Sequence, residues 1–312
     1  MMRGRRLPYA AFLLGILLTA SGVPATETGN GQLRLPSLAI GYSASVISNV
    51  DPGDAKAATK VWADMIMRRK GAIVESETMV LKNLPALEKA LKEKRVDLIF
   101  LLPQEYLEAR DRLPIVPLVA STPKEGLYEE FVLLVRKDSA LATVRDLRRK
   151  RLTVETDQKG TLPLMWLETL LMREGEFEDI EQYFAGVKAT HKPSQTILPV
   201  FFRQADGCIV TRTAFQTMVE LNPQLGKEIR EIAISPPFIT SIGCLRQDYY
   251  DKYKEVLTEH LVNLHEDPQG KQILTLFRKG RLVLFEPPYL ASVDALVKEH
   301  NDLRLHHLAR GK

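Results

Sequence analysis

Cysteine is scarce, with two residues in 312, Cys208 and Cys244, so a disulfide-stapled scaffold is excluded. Aromatic residues make up only 7%, and the 18 glycines and 18 prolines follow no period, so neither a collagen-like nor a low-complexity chain fits. No apolar run reaches the roughly 20 residues of a membrane-spanning helix; the longest, AAFLLGILLTA from Ala10 to Ala20, is about half that. Charge of one sign is also lacking. Without residues 1–25, which hold Arg3, Arg5, Arg6 and no acid, the chain has 40 basic against 39 acidic residues. A nearly neutral chain advertises no nucleic-acid surface, and no nucleic-acid partner is expected.

Signatures of catalysis are missing as well. There is no G-x-S-x-G elbow, no glycine-rich phosphate loop ending in Lys-Ser/Thr, and no H-E-x-x-H. Of the six histidines only His191 precedes residue 260; His260 and His265, five apart, do not share a helix face as metal ligands would. No metal or cofactor and no enzymatic activity are expected.

What is present begins with an export signal. The basic start, the short apolar run and the small residues of Val23-Pro-Ala25 read as a secretory leader over residues 1–25; an uncleaved anchor is the other reading. Export into an oxidising compartment would allow Cys208 and Cys244 to pair, although each sits in an apolar strand-like run where a buried thiol is equally at home.

Beyond residue 37 the chain alternates strand and helix patterns. Strands are expected at 38–43, 73–80, 96–102, 115–120 and 131–137. Between them lie a helix with Ala58, Val61, Trp62, Met65 and Ile66 at helical spacing, and a second with Asn83 as cap and Glu88/Lys92 one turn apart. The run VDLIFLL, apolar on both faces, belongs in the middle of a covered parallel sheet. The pattern then restarts, with strands at 151–156, 183–189 and 207–212. The stretch 231–248 is long enough to cross back, with Pro236 and Pro237 where the chain changes sheets. Three closing helices near 248–264, 268–278 and 288–300, without strands of their own, should pack on the first unit.

The fold expected is therefore α/β: two doubly wound lobes joined by a double-crossover hinge near 121–137 and 235–243. Lobe 1 would comprise 33–132 plus 240–312, and lobe 2 would comprise 133–239. In doubly wound sheets ligands bind beyond the carboxyl ends of the strands, which points to the loops after 43, 80 and 102.

Three segments carry a family resemblance. ALEKALKEKRVDLIFLLPQEYLEA (86–109) resembles the helix, Asp-Leu-x-Phe strand and Pro-x-x-Tyr turn of periplasmic phosphonate-type solute-binding proteins of ABC importers. FVLLVRKDSALATVRDLRRKRLTVE (131–155) is similar to their hinge strand and entry into the second domain. THKPSQTILPVFFRQADGCIVTR (190–212) resembles their His-containing loop, helix and Asp-Gly strand. The likeness covers roughly residues 36–300 and implies a type II periplasmic binding fold that closes by hinge motion on a small ligand.

On that resemblance the first lobe would offer Tyr42, Ser43, Gln104, Glu105 and Tyr106, the hinge Tyr128, and the second lobe Thr156, Lys159, Gly160, Thr161, His191 and Thr211. Structural roles compete with these: Tyr106 as a packing residue, Thr161 as a helix cap, His191 as a partner for a loop carbonyl, with Asp206 more a turn holder than a contact. The stretch ETDQKGTLPLMW departs from the family's Ser/Thr/Gly-rich loop, and Glu105 would repel a dianion. The ligand expected is small, polar and anionic, phosphonate-like or another small anion or zwitterion. The partner implied is the membrane permease of an ABC importer, with the binding protein a periplasmic monomer. Two rivals are a binding protein that feeds a sensor or redox system, and an enzyme on the same scaffold.

Overall fold

A computed structural model describes residues 38–47, 50–68, 77–155 and 161–310. The leader 1–25, residues 33–37 and the expected strand residues 73–76 lie outside them.

In chain order the first half runs β1 (Ile40–Ser43), α1 (Pro52–Arg68), β2 (Thr78–Leu81), α2 (Leu84–Lys92), β3 (Leu98–Leu101), α3 (Pro103–Ala109), β4 (Ile115–Ser121) and β5 (Phe131–Arg136). Next come β6 (Arg151–Glu155), α4 (Leu162–Arg173), α5 (Ile180–Tyr183), β7 (Gly186–Thr190), α6 (Pro193–Phe201), β8 (Gly207–Thr211), α7 (Arg212–Leu221), α8 (Pro223–Glu228) and β9 (Ile229–Ile234). The chain closes with β10 (Ser241–Arg246), α9 (Gln247–Val262), α10 (Pro268–Leu276), β11 (Leu282–Leu284) and α11 (Ala291–Arg310).

These strands form two sheets, ordered β11-β4-β10-β3-β1-β2 and β7-β6-β8-β5-β9. β1, β2 and β3 are parallel, as are β6, β7 and β8, whereas β10 and β9 return antiparallel to their neighbours. β3 is buried along its whole length, as its two-sided apolar run requires. Asn83 caps α2 by accepting from the Ala86 N–H at 3.0 Å, and Lys92 reaches Glu88 at 2.7 Å. At the far end of the first sheet the buried Asp97 accepts from Arg246 at 2.8 Å and from the Ala39 N–H at 2.9 Å, tying β1, β3 and β10 together.

The chain crosses between sheets twice, β4 to β5 and β9 to β10. The crossings are bonded to each other: Glu129 and Phe238 exchange backbone hydrogen bonds, both 2.8 Å. β5 lies wholly in the second sheet, so the first crossing is complete by Phe131.

Three expectations need correction. Residues 282–284 form a short strand, β11, at the edge of the first sheet; three residues are too few to show a period of two. Val61, placed on the apolar face of α1, is 45% exposed. The last helix does not confine itself to the first unit. α11 is anchored to α3 by Asp294–Arg110 at 3.2 Å, and to α4 by Arg173–Glu299 at 2.6 and 2.7 Å and His300–Glu168 at 2.7 Å. Its Val293 and Leu296 join an apolar cluster that also holds Leu133 and Trp166. Polar pairs add to this apolar contact in making the third tie, and apolar spacing does not report them.

Candidate functional site

A cleft of about 720 Å³ opens between the two sheets. Strand order dictates its position, because parallel strands deliver their loops and the helices that follow to one end. The first sheet contributes Ser45, Val46 and Val50 after β1, and Leu102, Pro103 and Gln104 after β3. The crossings contribute Lys124, Glu129, Phe238 and Thr240, and the turn after α10 adds Phe277, Arg278 and Lys279. From the second sheet come Glu155 at the end of β6 and the starts of three helices: Thr161–Pro163 of α4, Lys192–Ser194 of α6, and Thr211, Thr213 and Ala214 of α7.

Helix starts present backbone N–H groups and a positive dipole end, which suit an anion. Pro163 and Pro193 stand in the first turns of α4 and α6, where their missing N–H costs nothing and their fixed φ favours the helix. Thr211 caps α7 by accepting from the Ala214 N–H at 3.2 Å. Charge adds to this polarity, since four cationic side chains (Lys124, Lys192, Arg278, Lys279) and two carboxylates (Glu129, Glu155) line the cleft among the described residues.

Two of these groups are shifted by burial. The Lys279 ammonium, half-buried, is lowered to about 8, with the Glu129 charge opposing the shift. The Glu129 carboxyl is raised by burial, while Thr213, Thr211 and Lys279 pull the other way. Arg278 approaches Glu155 at 3.5 Å and so links the turn after α10 to the end of β6. Gly280 makes this turn possible. A Cβ there would lie 2.1 Å from the Pro123 carbonyl oxygen, and its N–H donates to Thr122 at 2.9 Å, so the turn is pressed against the first crossing.

The residues singled out in the sequence divide into four groups. Gln104, Thr161 and Thr211 line the cleft, and the Gln104 carboxamide oxygen is buried without a hydrogen bond. Thr161 stands at the cap position of α4 but makes no side-chain cap bond. Ser43 and Glu105 are a brace: the Ser43 hydroxyl donates to Glu105 at 2.6 Å, and the same carboxylate accepts the Leu102 N–H at 2.8 Å. The carboxylate expected to repel a dianion is thus engaged in holding the loop that carries Gln104. Tyr42 is buried, stacked between Phe100 (5.4 Å) and Phe277 (5.2 Å), with its hydroxyl hydrogen-bonded to Thr59 at 3.1 Å. Tyr106 is buried in the core, its phenol pushed up to about 12 by desolvation.

Tyr128 meets Tyr289 edge-on at 6.3 Å, beside the crossings and outside the cleft lining. His191, exposed, lines a separate surface depression of about 580 Å³. Thr156, Lys159 and Gly160 fall outside the described residues. Asp206 holds its turn, accepting the Arg151 N–H at 2.8 Å. Cys208 and Cys244 are both free and buried, in different sheets, and burial raises both thiols. Among the described residues no group of His, Cys, Asp and Glu could hold a metal ion, and no helix is long and apolar enough to cross a membrane.

Sequence reading passed over Lys279, Arg278, Glu155, Lys192, Ser194 and Thr213. Ser194 and Thr213 were within reach, since each lies within two residues of an expected helix start. Lys279 had only a faint signal, a basic pair before a glycine after a helix.

Comparison with known proteins agrees with this fold. No curated protein sequence matches the chain. In fold it is similar to XAC2383 of Xanthomonas citri bound to ATP, with 16% identity, TM-score 0.63, and coverage of 87% of this chain and 99% of that one. It is also similar to PhnD1 of Prochlorococcus marinus in complex with methylphosphonate, at 16% identity and TM-score 0.58, covering 85% and 98%. The aliphatic sulphonate binding protein SsuA of Escherichia coli is a further neighbour, at 15% identity and TM-score 0.51, covering 88% of each chain. These likenesses establish the type II periplasmic binding fold. A family model described as the periplasmic substrate-binding protein of the phosphonate ABC transporter matches residues 44–287, more than three quarters of the chain, and the protein belongs to that family.

Proposed function

We propose that this binding protein captures a small organic anion, a phosphonate or sulfonate, in the cleft between its sheets and presents it to the permease of an importer. Members of the family are periplasmic transport proteins, not enzymes. The similarity to proteins solved with methylphosphonate and named for aliphatic sulphonates supports this choice of anion. One observation carries the reading: the starts of α4, α6 and α7, with Thr161, Ser194, Thr211 and Thr213, converge with Lys279 and Arg278 on one space.

Residues 1–25 serve as the export signal in this proposal, and the protein acts as a monomer. The two sheets mark two lobes, 33–132 with 240–312 and 133–239, with the first boundary moved to the crossing before β5. Ligand contacts from both lobes favour the closed state by their differential affinity for it. Of the residues named by resemblance, Gln104, Thr161 and Thr211 contact ligand directly. Ser43 and Glu105 shape the loop, and Tyr42 supports Phe277.

A thermal-shift screen across phosphonates, sulfonates, phosphate, carboxylates and amino acids tests the reading. A ligand at a hundred times its Kd stabilises the fold by about 2.7 kcal/mol. In a chain of this size that amounts to a rise in Tm of several degrees. A phosphonate or sulfonate should produce it and a neutral isostere should not; no shift with either anion class overturns the proposal.

A further inference from the structure

Behind the first-sheet wall of the cleft lies a second, smaller space of about 40 Å³. It adjoins the cleft, with Val46, Phe277 and Lys279 lining both. Its remaining wall is mostly apolar, with Trp62, Phe100, Ile273 and Leu274 among its residues. The ring of Phe277 is held at the junction by its stack on Tyr42, which in turn stacks on Phe100. The wall's hydroxyls are hydrogen-bonded, Ser241 donating to Ser121 at 2.8 Å and Tyr42 accepting from Thr59 at 3.1 Å. Besides Lys279, which also lines the cleft, the wall carries the indole N–H of Trp62, a side chain 2% exposed, which has no hydrogen-bond partner.

We infer that this chamber takes the organic substituent of the bound anion, a straight chain of two to three carbons, and that it sets the protein's preference within its substrate class. The inference rests on the anion reading above and assigns the two ends of the ligand to different places. The charged head lies in the cleft against the helix starts and Lys279, and the tail passes Phe277 into the chamber. The size fits. A water-sized sphere needs about 10–15 Å³ by this measure, so the chamber holds about three such atoms. Inorganic phosphate would leave the chamber empty, and an aryl group would exceed it.

The test is a homologous series of methyl-, ethyl-, propyl- and pentylphosphonate, with the matching sulfonates, titrated calorimetrically into the full chain. Each methylene buried should tighten binding about fourfold from methyl to propyl, and pentyl should gain nothing further or lose. Leu274→Phe, which fills the chamber from a wall that does not border the cleft, should flatten the series and leave methylphosphonate affinity within about twofold of the parent. Should that variant fail to fold, the parent series alone decides. Affinity that is flat or falling from methyl to propyl overturns the chamber while leaving the anion reading in place. No binding by any member of either series removes the anion reading, and the chamber with it.

Discussion

The two walls of the cleft are built from different chemistry. The second-sheet wall is mainly hydroxyl and main-chain N–H, from Thr161, Ser194, Thr211 and Thr213 at the starts of α4, α6 and α7, with Lys192 and Glu155 as its charged side chains. The first-sheet wall is apolar surface carrying separate charges, with Val46, Val50, Leu102 and Phe277 beside Arg278 and Lys279. The polar wall is a product of topology, since any parallel β-α unit brings helix starts to that end. The charged wall depends on one turn distant in sequence. Most of the orienting donors and the Arg278–Lys279 charge are thus supplied by different parts of the chain, and each can be changed without the other.

The largest effect should come from the charged wall. Lys279→Met removes a half-buried ammonium and with it the charge that acts directly against Glu129. A hydrogen bond to a charged group contributes about 1.5–3 kcal/mol, so binding should weaken roughly 10- to 100-fold by calorimetry. Ser194→Ala on the polar wall removes one neutral donor, and the loss should be near fivefold. Equal losses would erase the distinction between the walls.

The turn itself is the next target. Gly280→Ala places a methyl 2.1 Å from the Pro123 oxygen and 2.9 Å from the Lys124 Cα, both backbone atoms that cannot rotate away. The turn must lift off the first crossing, at a cost of about 1–3 kcal/mol in denaturant unfolding. Because Lys279 moves with the turn, anion affinity should fall alongside stability. A destabilised variant with unchanged affinity would detach Lys279 from the ligand.

How far the sequence foretold these walls follows the same division. β1, β3 and the double crossing were legible because apolar runs and the Pro236-Pro237 break report directly on sheets and on changes between them. Gln104, Thr161 and Thr211 were legible because a residue just past a strand and at a helix start is placed by topology alone. Tyr42 and Ser43 sit on the expected strand but are turned into packing and a brace. A side chain's face alternates with every residue, so the right strand does not settle which residue reaches the cleft. Lys279 and the crossing of α11 onto α4 had no periodic signature, because each depends on contacts between segments far apart in sequence.

The charged wall also predicts a pH dependence that the polar wall lacks. Lys279 is charged below about 8, so anion affinity should be level or rising as pH falls; protonation of Glu129, raised by burial, removes repulsion in the same direction. Above that value binding requires a proton that the free protein has lost, and affinity should fall by up to about tenfold per pH unit. The ligand-free fold responds oppositely. Between about 8 and the ordinary lysine value of 10.5 the unfolded chain holds more protons than the folded one, so this group makes stability rise with pH. Lys124, Arg278 and Glu155 share the cleft, and Lys279→Met separates their contribution by abolishing the fall above 8.

The smallest effect concerns Arg278, which adopts a left-handed backbone with φ of 54° one residue past the α10 cap. There it donates to Thr275 at 3.0 Å, and the Lys279 N–H donates to Leu274 at 2.7 Å, closing the helix end. Glycine suits such a position, because a Cβ is strained there. Arg278→Gly relieves that strain but frees the unfolded backbone and gives up a half-exposed pair with Glu155. The net stability change should stay within about 0.5 kcal/mol by thermal unfolding. Affinity should nonetheless drop about threefold, since a cation leaves the cleft rim. If affinity holds while stability rises, the arginine serves only to close a helix, and Lys279 supplies the charge of that wall alone.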